Sequence, residues 1–192
     1  MPIPITEVPR FTSDGILPIG TYPVSFVTLR ASHLVVGGIP ETPTSWNSVW
    51  RASLVDRAEV LVRQLWSCGV TDVFLDGSFV EAKPHPNDVD GYFECDVLDI
   101  ARGTLPNKLN ALDPHKVWTW DPASRRRAPG STKKQLPMWR HYRVELYPHY
   151  RGLMSGITDQ WGNDLQFPAA FRQQRHTGFR KGIIQVVPGD ST

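Results

Sequence analysis

Leu75-Asp76-Gly77-Ser78-Phe79-Val80-Glu81-Ala82-Lys83-Pro84-His85-Pro86-Asn87-Asp88-Val89-Asp90-Gly91-Tyr92 is the stretch on which the fold turns. A Gly-Ser pair leaves one apolar run, nine residues follow, and an Asp-Val-Asp opens the next run. Glycine lets a backbone approach a phosphate closely, and the Ser78 hydroxyl with nearby amides can donate to phosphate oxygens. Two aspartates one residue apart on a strand point to the same face, which sets two hard oxygen ligands where Mg²⁺ can bridge them to a triphosphate. Like charges that close are costly unless a cation offsets them. The plainer alternative is that Asp88 caps a turn after Asn87 and Asp90 is simply solvated.

Upstream, Val70-Thr71-Asp72-Val73-Phe74-Leu75 reads as a strand that ends in the turn Asp76-Gly77-Ser78. Before it, a hydroxyl at Thr44 or Ser45 precedes Trp46, Trp50, Leu54, Ala58, Leu61 and Leu65, a three-to-four-residue recurrence that stops at Gly69; this predicts a helix over roughly 45–68. The first forty-three residues are rich in Pro, Gly and Thr and read as an extended arm with short ordered pieces, wrapped on the domain.

Downstream, a second strand runs from Asp88 to Cys95. Residues 97–112 suit a helix interrupted near Gly103 and Pro106. Val117-Trp118-Thr119-Trp120 is a candidate strand, and Asp121 to Pro137, with its Arg125 to Lys134 basic run, reads as an exposed mobile loop. Trp139 to Tyr147 alternates as a strand, with Tyr142, Val144 and Leu146 on one side and Arg143, Glu145 and Tyr147 on the other, ended by Pro148. A short helix near Phe167 to Gln174 and an apolar run from Gly182 to Val187 complete the chain. The expected class is α/β (α+β), a small mixed sheet flanked by helices in one domain over 1–192.

A length of 192 residues suits one such domain with a continuous core. The formal charge of +2 does not by itself indicate a nucleic-acid binder. Cys68 and Cys95 lack the Cys/His spacing of a zinc site and read as buried thiols. The N-terminus has no basic segment followed by an apolar one, and no window approaches the ~18 apolar residues of a membrane span, so a cytoplasmic location without membrane partners is expected.

Gly77, Ser78, Asp88 and Asp90 resemble the signature of the DNA polymerase β-type nucleotidyltransferase superfamily: an apolar residue, Gly-Gly or Gly-Ser, about nine to thirteen residues, then Asp/Glu-x-Asp/Glu between apolar positions. Gly-Ser-Phe-Val, Lys-Pro-x-Pro-Asn-Asp-Val-Asp and the N-terminal Leu-Pro-x-Gly look like short bacterial and phage members of that superfamily, and residues 75–95 carry the specific part of the likeness. The resemblance implies a third acid on a neighbouring strand, for which Glu145 in Arg143-Val144-Glu145-Leu146-Tyr147 is the best match; the alternative pairs Glu145 with Arg143 or Arg140 on a solvated face.

It implies catalytic, metal-holding roles for Asp88, Asp90 and Glu145 toward Mg²⁺ or Mn²⁺, and triphosphate binding by Gly77 and Ser78. Lys83 either reaches a phosphate or is solvated, and His85 reads as a surface residue. The activity implied is transfer of a nucleoside monophosphate from a nucleoside triphosphate to a protein or RNA acceptor, in a toxin–antitoxin or phage-defence setting with a toxin or antitoxin partner. Two other readings compete: a non-catalytic module of the same fold that neutralises or scaffolds a partner protein, and a nucleic-acid-binding accessory protein using the basic run.

Overall fold

A computed structural model describes residues 2–128, 132–159, 161–174 and 177–189, without the Phe167 side chain. In chain order the elements are β1 (Thr21–Val24), α1 (Phe26–Ala31), α2 (His33–Val36), α3 (Ser48–Ser67), β2 (Val73–Asp76), β3 (Val89–Glu94), α4 (Val97–Ala101), α5 (Thr104–Leu112), β4 (Arg126–Arg127), β5 (Lys134–Gln135), α6 (Pro137–Tyr142), β6 (Val144–His149), β7 (Met154–Thr158), β8 (Asp164–Gln166), α7 (Phe167–Phe171) and β9 (Ile183–Val186). The class is mixed α+β. Among the described residues no helix is long and apolar enough to cross a membrane.

The main sheet has the order β1-β9-β2-β3-β6. β1 and β9 are parallel, β2 is antiparallel to both β9 and β3, and β3 is parallel to β6. Its two faces differ because β3 alternates: Val89, Gly91 and Phe93 turn to the core, while Asp90, Tyr92 and Glu94 turn the other way. α3 supplies the fully buried Leu54, Ala58, Leu61 and Leu65 to the apolar side, the stripe that the sequence recurrence predicts. Its cap is Asn47, whose Oδ1 accepts from Trp50 N at 2.9 Å, two residues beyond the expected Ser45. It stops at Gly69, whose φ of +86° is left-handed.

α4 and α5 divide at Gly103, and Pro106 sits in the first turn of α5, where a missing N–H costs no helical bond. Strand β1 and the short helices α1 and α2 occupy part of residues 1–43, and Val8, Phe11 and Leu17 anchor the rest in the core. β9, all four residues buried, brings the C-terminal apolar run between β1 and β2.

Four expectations need correction. Residues 139–142 are helical: Pro137 starts α6 at a first-turn position, and Arg143, at φ +55°, turns the chain into β6. The predicted alternation therefore holds only from Val144 onward. Pro148 does not end β6, since on an edge strand its missing N–H costs no ladder bond and it pairs in register with Phe93. Residues 117–120 form no strand; the Asn110 side chain replaces a ladder, accepting from Trp118 N and donating to Trp118 O, both at 2.9 Å. The Asp121 to Pro137 segment is not structureless, because Arg126–Arg127 pair with Lys134–Gln135 as a short hairpin; Pro129, Gly130 and Ser131 lie outside the described residues.

Candidate active-site cleft

The strand register assembles the site. Asp76 on β2 lies opposite Asp90 on β3, and Asp90 lies beside Glu145 on β6. Directly paired residues share a face, so three carboxylates stand side by side across three strands, with Asp88 two residues before Asp90 on the same side. Gly77, Ser78, Lys83, Asp88, Asp90 and Glu145 all line one open cleft of about 1820 Å³. That exceeds the ~300–1,000 Å³ of a typical small-molecule pocket, so the cleft has room for a nucleotide and part of a second substrate.

Gly77 is fixed in its role by space. Its φ is +73°, and a Cβ there would overlap the Asp90 carboxylate. Any larger residue at 77 would push Asp90 out of line as well as strain the backbone. A short 3₁₀ turn over Gly77–Val80 follows and buries Phe79 and Val80, which leaves Ser78 half-exposed at the cleft.

Each remaining acid is oriented by groups that the sequence reading did not anticipate. Trp139 Nε1 donates to Asp88 Oδ2 at 2.7 Å, and the Arg143 guanidinium stacks 4.0 Å over the Trp139 ring. Leu136 N donates to Glu145 Oε1 at 2.9 Å, and the Tyr147 hydroxyl donates to Oε2, also at 2.9 Å. Arg125 Nη2 donates to the Tyr147 oxygen at 3.1 Å, with Nη1 3.9 Å from Glu145 Oε1. Burial, and then the Glu145 charge, push the Tyr147 pKa up, so the phenol stays protonated and acts as a donor. Glu145 is thus buried and held, not paired with Arg140 or Arg143 on a solvated face.

Lys181, in the segment leading into β9, closes the back of the site. Its Nζ donates to Gly77 O at 2.9 Å and Glu81 Oε1 at 2.7 Å, and lies 3.2 Å from Asp76 Oδ1. No periodicity or motif marks a lysine there as buried, and Asp76 stands where the superfamily signature has an apolar residue. One ammonium facing two carboxylates leaves an excess negative charge in the interior. Burial accordingly raises Asp76 to about 7 in spite of Lys181, while Asp76 and Glu81 outweigh burial and raise Lys181.

Because the folded pKa of Asp76 lies above the usual 3.8, the folded chain keeps a proton that the unfolded chain has lost. The resulting stability is complete below about pH 4 and is lost as pH rises through about 7. Thermal melts from pH 5 to 9 should show this decline in the wild type and a flatter profile in Asp76→Asn. Equal slopes in both would mean that another group titrates.

Lys83 is exposed at the cleft wall, and its carbonyl accepts from Arg51 Nη1 at 2.7 Å. His85 is exposed and stacks on Trp50 with ring centroids 4.9 Å apart, a surface residue as expected. Cys68 and Cys95 are free and half-buried, more accessible than the buried thiols expected.

For a divalent cation the donor set fits in kind: hard carboxylate oxygens neighbour one another in register, and a bound cation offsets their repulsion. Among the described residues no three His, Cys, Asp or Glu side chains form a ready-made cage. Mg²⁺ characteristically uses one or two carboxylates and takes its other oxygens from substrate phosphates and water.

Residues 9–187 match the model of a family described as "Family of unknown function (DUF6932)", and the chain belongs to that family. No curated protein and no solved structure shows a significant match.

Proposed function

We propose that the protein is a metal-dependent nucleotidyltransferase that moves a nucleoside monophosphate from a nucleoside triphosphate to an acceptor hydroxyl. The observation that carries this reading is the alignment of Asp90 with Glu145 on adjacent strands, facing the Gly77–Ser78 turn across one cleft. Lys181 is taken up by Asp76, Glu81 and the Gly77 carbonyl behind the turn, and the Arg125 guanidinium lies 3.9 Å from Glu145.

Asp88 and Asp90, with Glu145, would hold Mg²⁺ or Mn²⁺, which when bound supplies charge neutralisation on the triphosphate. Gly77 and Ser78 offer amides and a hydroxyl to its outer phosphates, and Lys83 is placed to approach them from the wall. Trp139 and Tyr147 keep Asp88 and Glu145 aimed at the cleft, so little reorganisation is needed at the moment of reaction. Glu145 serves the acceptor side: the acceptor oxygen bonds to the α-phosphorus, the bond to pyrophosphate breaks, and the hydroxyl proton passes toward Glu145 or water. Protein and RNA both remain acceptor classes for this reading, and a toxin–antitoxin or phage-defence role belongs to the same proposal.

Calorimetric titration with each nucleoside triphosphate tests it directly. Binding should require Mg²⁺ or Mn²⁺ and disappear with excess chelator; affinity that survives chelation removes Asp88 and Asp90 from the proposed role. The alternative, a binding module of the same fold, predicts a partner complex that persists when all three acids are replaced.

A further inference from the structure

Charge is strongly segregated along this chain. Residues 122–144 carry seven Lys and Arg side chains and no Asp or Glu, so the rest of the chain is net negative although the whole is +2. The fold puts that segment at the cleft: Arg125, Lys133, Lys134 and Arg143 line it, and Arg126 and Arg127, both exposed on the β4–β5 hairpin, carry the basic charge on outside the cleft. Cations that run from beside Glu145 to the outer surface extend past the place where a triphosphate would be gripped.

The β7–β8 hairpin contributes Ser155, Ile157 and Thr158 to the lining of the same cleft. Asp159 shapes the turn that follows β7, accepting from Trp161 N and Asn163 N, each at 2.9 Å. The Trp161 side chain in that turn is left 78% exposed, and Ile157 and Met154 are about half exposed. An exposed indole offers a flat face on which a base can stack.

We infer that the cleft between the two hairpins docks a single-stranded nucleic acid, its phosphates on Arg125, Arg126, Arg127, Lys133 and Lys134 and its bases against Trp161 and Ile157. A basic hairpin on one side and, on the other, an exposed indole two residues beyond the cleft-lining Asp159 suit a single strand, whose unstacked bases offer π-faces, better than a duplex or an acidic protein segment. This rests on the nucleotidyltransferase reading only for its purpose, which is to bring a strand-end hydroxyl to Glu145 as acceptor; the binding itself needs neither metal nor triphosphate.

Fluorescence anisotropy of the full chain with labelled 20-nucleotide single-stranded RNA and DNA, in chelator and without nucleotide, tests the inference. Binding should weaken steeply with salt, with a log–log slope of about −2 to −3.5 for three to five phosphate contacts. The triple variant Arg126→Gln, Arg127→Gln, Lys133→Gln should lose about tenfold or more in affinity, whereas the double variant Arg126→Lys, Arg127→Lys should bind like the wild type; Trp161→Ala should weaken binding several-fold with little change in slope. Asp88→Asn and Asp90→Asn should bind as the wild type or better, which keeps this result separate from any failure of nucleotidyl transfer. Preference for the RNA or the DNA arm names the strand. The inference is overturned by absence of binding at 50 mM salt, by a triple variant that melts like the wild type and binds equally well, or by oligoglutamate competing as effectively as the oligonucleotide.

Discussion

Asp90→Asn should lower nucleotidyl transfer by about 10²-fold or more while changing the thermal stability little. Asp90 stands in register between Asp76 and Glu145, with its carboxylate against Gly77. Asparagine keeps that shape and removes the negative charge that the proposed metal role requires, a loss that in electrostatic catalysis costs on this scale. Asp88→Asn should weaken nucleotide binding and turnover together.

Glu145→Gln should differ: nucleotide affinity stays nearly intact while the rate falls, because the interaction lost belongs to the transition state. The amide can still accept from Leu136 N and donate to Tyr147, so the fold tolerates it. Calorimetry, single-turnover assays with labelled triphosphate and thermal melts on the three variants read these effects out. An Asp90→Asn protein that melts markedly lower and transfers nucleotide within a few-fold of the wild type would make Asp90 structural.

The parts of this site legible in the sequence are those that depend on local spacing. Gly77–Ser78 and Asp88-x-Asp90 are separated by one loop, and strand alternation alone puts both aspartates on one face. The pairing of β6 beside β3 depends on long-range register that no local pattern encodes, and Glu145 was reachable only through the resemblance. In Trp139-Arg140-His141-Tyr142-Arg143-Val144 the apolar residues fit a strand as well as one helical turn, and only Pro137 at the start and the left-handed Arg143 decide for the turn. That one turn is what delivers the indole to Asp88. Lys181 and Arg51 carried no signal because a buried cation has the same letter as a solvated one. Their partners are mostly backbone carbonyls and distant acids, which leave no spacing to find.

Arg51→Met should cost about 3–5 kcal/mol of folding stability, the scale on which removing a buried charged group and orphaning its partners is felt. Arg51 lies in α3 with no exposed surface, and its guanidinium donates to the carbonyls of Leu34, Phe79 and Lys83, the last at 2.7 Å. It also lies over the rings of Trp46 and Phe79, at 4.1 and 4.8 Å. Burial pushes its pKa down to about 9, which still leaves it protonated at neutral pH.

Methionine fills much of the volume and satisfies none of the three carbonyls, each of which costs about 1–3 kcal/mol when left buried and unpaired. Lysine keeps the charge without the planar fork and should rescue only part of the loss. The same residues explain why the loop between Gly77 and Asp88 can serve a ligand. Arg51 holds it by the carbonyls of Phe79 and Lys83, Asn47 N reaches Pro84 O at 3.1 Å, and Trp50 Nε1 reaches Pro86 O at 2.6 Å. Anchored from behind through its acceptors, the loop keeps the Lys83 side chain free for the cleft. Urea unfolding should therefore show a lower midpoint for Arg51→Met at unchanged m, and any protein that remains folded should bind triphosphate more weakly than the wild type although residue 51 lies outside the cleft lining. A loss of stability below about 1 kcal/mol would mean that the three carbonyls find other donors and that α3 does not hold this loop through Arg51.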